Sequence, residues 1–200
     1  MRRWAVFIGG LALVLALALV ARAMRPPPPL PVLGAVPTFH LVDDRGAPYS
    51  NDAMLGHVSV VDFVFTRCPS SCPRLTARMG ELQSRLKKDG SDARFVSFSV
   101  DPENDTPPVL AAYGAKAGAE PGRWTFVTGP VNDIASAVVL GFKMSAAKVA
   151  TGANDYDVTH GDWFVLTDPA GTIRGYYPTE QAADFEKLVR DVERLEKERR

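Results

Sequence analysis

The chain has 200 residues, of which 46% are hydrophobic, and its 23 Lys and Arg residues balance its 23 Asp and Glu residues. This size and composition suit one globular domain with short appendages, and the zero net charge without a basic cluster argues against a nucleic-acid partner. The two cysteines, Cys68 and Cys72, are too few for a Cys-rich zinc cluster.

The N-terminal residues form a long hydrophobic segment. Trp4–Ala21 is apolar without interruption and follows Arg2 and Arg3. As a helix this run would be about 27 Å long, close to the ~30 Å hydrocarbon core of a bilayer. We therefore predict a single-pass membrane anchor over residues 1–24. A signal peptide cleaved after Ala23 is the alternative, but the apolar run is longer than the usual core of a signal peptide.

The cysteines indicate the side of the membrane on which the domain lies. A neighbouring pair of thiols that can form a disulfide bond suits an extracytoplasmic site, and the N-terminus does not resemble an Arg/Ser-rich mitochondrial presequence. We expect a bacterial plasma membrane protein with its C-terminal domain on the extracytoplasmic side. Residues 25–32 are rich in proline, which predicts a stiff spacer. Residues 33–200 form the predicted folded domain.

Apolar runs and turn residues predict the order of elements in that domain. A short N-terminal hairpin is expected around Phe39–Val42, with a turn at 43–46. Predicted core strands cover 58–65, 94–100 and 124–127, and a C-terminal hairpin pairs 163–167 with 172–177. Predicted helices follow Pro73 and cover 107–117, 132–140 and 179–197, with Asp105 or Thr106 as the cap of the second. Residues 143–157 are expected to form a long exposed loop or an irregular hairpin.

Both cysteines lie where the first core strand gives way to the first helix. Each is followed by proline, in Cys68-Pro69 and Cys72-Pro73, and proline is favoured at the first position of a helix. We expect Cys68 to open one helical turn and Cys72 to open the main helix, where the partial positive charge favours both thiolates. Two such sulfurs can form a disulfide or bind a soft metal together. A purely structural disulfide is less expected, because so short a loop removes little chain entropy.

Strands and helices alternate along the domain, and the dithiol follows the first core strand. This order predicts an α/β fold with a thioredoxin-like (peroxiredoxin-like) central sheet flanked by helices.

Asp62 lies inside a core strand, where a buried carboxylate needs a partner that the sequence does not identify. Asp101 ends the next strand and is expected to stabilise a turn, with tuning of a thiol or of His160 as the alternative.

Three separated segments resemble signatures of the Sco/SenC family of copper-delivery proteins. They are Asp62–Pro73, Phe98–Pro107 and Asp155–His160, and they occur in the order found in the family. The likeness extends from about Leu33 to the end of the chain. It implies a thioredoxin-like fold.

The resemblance also implies a copper site formed by Cys68, Cys72 and His160. It implies delivery of copper to the binuclear (CuA) site of cytochrome c oxidase, with the copper-accepting oxidase subunit as the partner. An upstream copper donor or a thiol reductant would be a second partner. Two thiolates and one imidazole satisfy Cu(I), and they can also hold Cu(II).

Two functions stay open from the sequence. The first is a copper-binding assembly factor that is not an enzyme. The second is a thiol–disulfide oxidoreductase that keeps the cysteines of the oxidase subunit reduced. Residues 158–162 contain no proline, whereas thioredoxin-like oxidoreductases carry a cis-proline before the corresponding strand, and this favours metal binding. A peroxiredoxin-like peroxidase is disfavoured, because Asp62 stands four residues before Thr66, where the peroxidase motif has proline.

Overall fold

The computed structural model describes residues 17, 28–69, 71–144, 147–150, 156–159 and 162–199. The chain divides into two compact units, residues 1–30 and residues 31–200. The predicted anchor over residues 1–24 lies outside the described residues except for Leu17, and the predicted spacer is described only from Pro28 onwards. Within the described ranges, no helix combines the length and the hydropathy needed to cross a membrane.

The second unit contains the strands and helices that position the two cysteines. In its described part the strands are β1 (Gly34–Ala35), β2 (His40–Asp43), β3 (Pro48–Ser50), β4 (Ser59–Val64), β5 (Arg94–Ser99), β6 (Trp124–Thr128), β7 (Ala147–Ala150), β8 (Tyr156–Thr159), β9 (Trp163–Thr167) and β10 (Thr172–Pro178). The helices are α1 (Cys72–Lys88), α2 (Pro107–Ala117), α3 (Val131–Ala135) and α4 (Ala182–Arg199), with a 3-10 helix at Asn51–Met54 and a π-helix at Ser136–Gly141.

Eight of these strands form one mixed sheet in the order β1-β10-β9-β4-β5-β6-β2-β3. The central pairs β4–β5 and β5–β6 are parallel, and the other neighbours are antiparallel. Strands β7 and β8 form a separate antiparallel pair. Because β4 and β5 are parallel neighbours, the loops that follow them leave the sheet at the same edge. This places the cysteine segment after β4 beside the Asp101–Asp105 loop after β5.

The two faces of the sheet are covered differently. On one face, Phe63 and Phe98 pack against Phe142, with ring centroids 5.5 and 5.3 Å apart, respectively. On the other face, the Ser97 hydroxyl accepts a hydrogen bond from Trp124 Nε1 at 2.9 Å, and helix α1 lies nearby. The apolar residues of α1 that recur at i, i+4, i+7 and i+11 are all buried, namely Leu75, Met79, Leu82 and Leu86. Burial of this stripe explains why the segment forms a helix.

The predicted elements are present, with differences at several ends. The predicted helix at 132–140 begins at Val131 and becomes a π-helix from Ser136. The last helix begins at Ala182 rather than at Thr179. The segment 143–157 contains β7 and the start of β8, so the irregular hairpin is the better of its two interpretations. The central sheet with flanking helices is confirmed.

Candidate metal centre

Cys68 and Cys72 meet at the N-terminus of α1. Both are thiols that form no disulfide, and both have little exposed surface, 7% for Cys68 and 1% for Cys72. The backbone N–H of Cys72 donates a hydrogen bond to Cys68 Sγ at 3.4 Å. Cys68 N–H donates to the Phe65 carbonyl at 3.3 Å, which closes the turn after β4. The start of the helix therefore directs a backbone donor at the first sulfur, as the proline spacing suggests.

Two details of the sequence prediction are wrong. Cys68 does not open a helical turn, because α1 begins only at Cys72 and Cys68 lies in the bend before it. The pKa of the Cys72 thiol is raised rather than lowered, mainly because burial penalises the charged form. The helix N-terminus does not outweigh this loss of solvation. Cys72 is therefore a buried thiol that keeps its proton until the sulfur binds a metal or is oxidised.

The Asp101–Asp105 loop after β5 supports the cysteine segment from one side. Asp101 is fully buried and accepts hydrogen bonds from Arg67 Nη2 and from Asn104 Nδ2, at 3.0 Å each. Its carbonyl oxygen accepts from the N–H groups of Asn104 and Asp105. The predicted role of Asp101 in a turn is therefore confirmed. The ion pair with Arg67 adds a link to the residue before Cys68 that the sequence does not show.

Asp105 has a different role from the helix cap that the sequence predicts. Its carboxylate accepts hydrogen bonds from Thr66 Oγ1 at 2.6 Å, from Thr66 N at 3.1 Å and from Ser99 Oγ at 2.6 Å. Thr106 occupies the cap position of α2 and makes no capping hydrogen bond through its side chain. Asp105 thus links the two loops instead of capping the helix, because its side chain lies beneath the cysteine segment.

Asp62 is a third buried carboxyl group near the dithiol, on β4. It is fully buried, and within the described part of the chain neither of its oxygens has a well-formed hydrogen bond. Burial raises the pKa of Asp62 to about 7, and the neighbouring hydroxyl of Ser97, its partner in the parallel register, offsets only part of this effect. The partner that a buried carboxylate needs is therefore missing among the described side chains.

His160, the third predicted ligand, lies outside the described residues. The nearest described residue after it is Asp162, whose carbonyl oxygen accepts hydrogen bonds from Thr179 N at 2.9 Å and from Thr179 Oγ1 at 3.0 Å. The Asp162 carboxylate lies 3.7 Å from the guanidinium of Arg74, which is two residues after Cys72 on α1. The chain therefore passes beside the first turn of α1 two positions after His160.

The other two histidines do not join the cysteines. His40 is exposed on β2. His57 is partly buried: among the described residues its Nδ1 atom has no hydrogen-bond partner, and its Nε2 atom lies 3.4 Å from Arg94 Nη2. Within the described ranges, no group of three or more His, Cys, Asp or Glu side chains could hold a metal ion. The described residues thus supply two soft sulfur donors.

The sequence and the fold both match known proteins. The profile of the SCO1/SenC family matches residues 33–197. The "SCO1 protein homolog" of Bacillus subtilis is 33% identical over 158 residues, which cover 78% of this chain and 80% of the relative. The solved structure of BsSco has a TM-score of 0.72 at 31% identity and covers 84% of this chain and 98% of its own. BsSco is described as a member of the Sco family of cytochrome c oxidase assembly proteins in which a disulfide switch was identified.

Two further solved structures are similar. A SCO1/SenC family lipoprotein from Bacillus anthracis has a TM-score of 0.74 at 34% identity and covers 82% of this chain and 95% of its own. ScoI from Bradyrhizobium japonicum, solved with copper bound, has a TM-score of 0.69 at 25% identity and covers 80% of this chain and 99% of its own. These similarities fit the predicted thioredoxin-like fold. This chain belongs to the SCO1/SenC family.

Proposed function

We propose that this protein is a copper-binding assembly factor. Copper is bound by Cys68, Cys72 and His160 and is delivered to the CuA site of cytochrome c oxidase. The observation that carries the proposal is the pair of adjacent reduced thiols at the N-terminus of α1 in a chain of the SCO1/SenC family. A relative solved with copper bound and another from the oxidase assembly proteins support it.

The donor set suits copper as a cargo. Thiolate sulfur is a soft ligand that Cu(I) prefers, and an imidazole nitrogen adds affinity for Cu(II). When the metal displaces the protons of the two thiols, it is bound by a small number of ligands. A client dithiol can then take the metal by exchanging one sulfur at a time. The small exposed fraction of Cys68, 7%, is larger than that of Cys72, so Cys68 is the sulfur that a client reaches first.

The position of Asp162 supports His160 as the third ligand. The two hydrogen bonds from Thr179 and the ion pair with Arg74 hold the chain beside α1 two residues after His160. His160 is two residues before Asp162, so the chain separates the two Cα atoms by at most about 7 Å. Upstream copper donors and thiol reductants remain part of the proposal as partners, because loading needs both the metal and reduced cysteines.

A thiol–disulfide oxidoreductase is the second candidate function. The observation that favours it is that Cys68 and Cys72 are both in the reduced, thiol form and lie in contact through the Cys72 amide, so a disulfide between them requires only a short movement. In this function the dithiol reduces the cysteines of the oxidase subunit, and His160 has at most a modest effect on thiol reactivity.

Copper titration of histidine and cysteine variants separates the two functions. We expect one copper per chain for the unmodified protein purified in reduced form. His160→Ala should lose Cu(II) affinity by about 10-fold to 100-fold or more while its dithiol still reduces insulin disulfides. His40→Ala is the matched control, because His40 is an exposed histidine on β2, and it should bind copper like the unmodified chain.

Full copper affinity in the His160→Ala variant would contradict the three-ligand site. If oxidase assembly also survived in that variant but was lost in Cys68→Ser, the oxidoreductase function would replace copper delivery.

We further propose that residues 1–24 anchor the protein in a bacterial plasma membrane with residues 33–200 on the extracytoplasmic side. The proposal rests on the apolar run Trp4–Ala21.

A further inference from the structure

A buried carboxylate holds the segment that carries Cys68, and copper ligation does not account for it. Asp105 is fully buried. Its oxygens accept hydrogen bonds from both the backbone N–H and the hydroxyl of Thr66, and from the hydroxyl of Ser99. Among the described residues no Lys, Arg or His forms an ion pair with it, so these hydrogen bonds carry its stabilisation.

The contact acts almost directly on the first cysteine. Thr66 lies two residues before Cys68, and it is fixed at two points, its N–H and its side chain. The next hydrogen bond along the chain, from Cys68 N to the Phe65 carbonyl, closes the turn. Cys68 Sγ then meets the N–H of Cys72 at 3.4 Å. A short and well-restrained path therefore connects the carboxylate of Asp105 with the sulfur of Cys68.

The parallel link between Arg67 and Asp101 is weaker. The Arg67 side chain is 52% exposed, and ion pairs with an exposed partner contribute little because water screens them. The Asp105 carboxylate itself is fully buried, its hydrogen bond from Ser99 is buried and those from Thr66 are partly buried; hydrogen bonds shielded from water are stronger, and leaving one unmade is costly. Asp105 therefore restrains the cysteine segment through contacts that water screens less than the Arg67–Asp101 ion pair.

We propose that Asp105 is a positioning residue for the dithiol: through Thr66 it holds Cys68 against the N-terminus of α1 and thereby sets the copper affinity and the redox equilibrium of the Cys68–Cys72 pair. The copper part of this inference rests on the proposed function. The redox part depends only on the two thiols, because the reduced form is the one in which the Cys72 amide meets the Cys68 sulfur.

Thr66→Val is the most direct test, because valine keeps the size of threonine and removes the hydroxyl. We expect a loss of Cu(II) affinity of about 10-fold to 100-fold, as found for residues that orient metal ligands, with a shifted sulfur-to-copper absorption band. Thr66→Ser keeps the hydroxyl and should restore both. Thr106→Val is the matched control, since Thr106 makes no capping hydrogen bond through its side chain, and it should behave like the unmodified chain.

A glutathione equilibrium tests the same residue without copper. Oxidised glutathione takes two electrons from the two thiols, which gives the Cys68–Cys72 disulfide and two molecules of reduced glutathione. Loss of the restraint destabilises the reduced form, so Thr66→Val should favour the disulfide by about tenfold, equivalent to a reduction potential lower by about 30 mV. Thr66→Ser and Thr106→Val should leave the equilibrium unchanged.

The two readouts distinguish positioning from simple stabilisation. If Thr66→Val lowered the resistance to urea but left the copper spectrum and the glutathione equilibrium unchanged, Asp105 would be only a structural residue. If the unmodified protein bound no copper, the proposed function would fail, and the glutathione equilibrium would still decide the role of Asp105. Should Thr66→Val not fold, Asp105→Asn serves in the same assays, because its amide nitrogen cannot accept the Thr66 N–H.

Discussion

Asp62 illustrates how one buried residue can oppose the stability of the whole domain. Its pKa is raised from 3.8 to about 7 by burial in β4, so the folded state holds the proton more tightly than the unfolded state. The stabilisation from this proton is complete below about pH 4, declines as the pH rises towards 7, and is absent above. A difference of about 3 pH units corresponds to about 4 kcal/mol.

We predict that Asp62→Asn removes the decline in stability that ionisation of Asp62 causes as the pH rises. Asparagine has nearly the same shape and no charge, so the variant should be more stable than the unmodified chain at about pH 8 and should show a flatter profile between about pH 4 and about pH 7. Urea unfolding across this range measures both effects. Asp52→Asn is the control, because Asp52 is exposed on the 3-10 helix. A variant less stable than the unmodified chain at about pH 8 would mean that the Asp62 carboxylate has a favourable partner.

The sequence predicts the two sulfur donors but not the residues that hold them. Cys68 and Cys72 are recognisable from their spacing and from the prolines that follow them. The hydrogen bond between Thr66 and Asp105 joins residues 39 positions apart, and periodicity carries no information about such side-chain contacts. The raised pKa of Cys72 escapes prediction for a related reason, because it depends on how deeply the first turn of α1 is buried.

Helix α2 approaches the sheet closely because it has a glycine at the point of contact. A Cβ atom at Gly114 would lie 2.7 Å from Cε2 and 3.0 Å from Cδ2 of Phe126. The ring of Phe126 is fully buried, and it packs between Trp124 and Tyr113 with centroids 5.3 and 5.8 Å away. The ring therefore has little room to move.

We predict that Gly114→Ala destabilises the domain by about 1–2 kcal/mol, because the cost of overpacking exceeds the gain of up to about 1 kcal/mol in helix propensity. Gly80→Ala on α1 is the matched control. Its Cβ would meet Ala117 O at 3.4 Å and Trp124 Cζ3 at 3.9 Å, which are ordinary contacts, so it should stabilise by up to about 1 kcal/mol. Urea unfolding of both variants checks the contrast, and equal effects would refute it.

Regular elements follow from the sequence more reliably than irregular ones. The helix predicted at 107–117 has the observed bounds, Pro107–Ala117, because proline marks its start and a glycine in the left-handed conformation, Gly118, ends it. The π-helix at Ser136–Gly141 was not predictable in this way. The end of this π-helix is packed against other parts of the domain. Phe142, the next residue, packs on Phe63 and Phe98, and a Cβ atom at Gly141 would clash with Pro37.

At the level of the whole domain, sheet topology explains why two distant sequence motifs act as one site. Strands β4 and β5 are parallel neighbours, with Val64 paired to Ser99 at their ends. The segments that follow them therefore leave the same edge of the sheet, where Arg67 meets Asp101 and Thr66 meets Asp105. In the function that we propose, the motif that contains the cysteines supplies the metal ligands, and the motif that contains the aspartates positions them.

Membrane attachment is the prediction that concerns the entire chain. The apolar run Trp4–Ala21 is long enough to span a bilayer, so the protein should sediment with membranes, resist extraction at alkaline pH and retain residues 1–24. Replacing both Leu13 and Leu15 with arginine should release it, since each charge near the centre of a membrane helix costs about 2.5–3.5 kcal/mol. Replacement of the same residues with isoleucine is the control and should leave attachment intact. N-terminal sequencing of the native protein gives an independent answer: a mature chain that begins at Met24 would identify a cleaved signal peptide and refute the anchor.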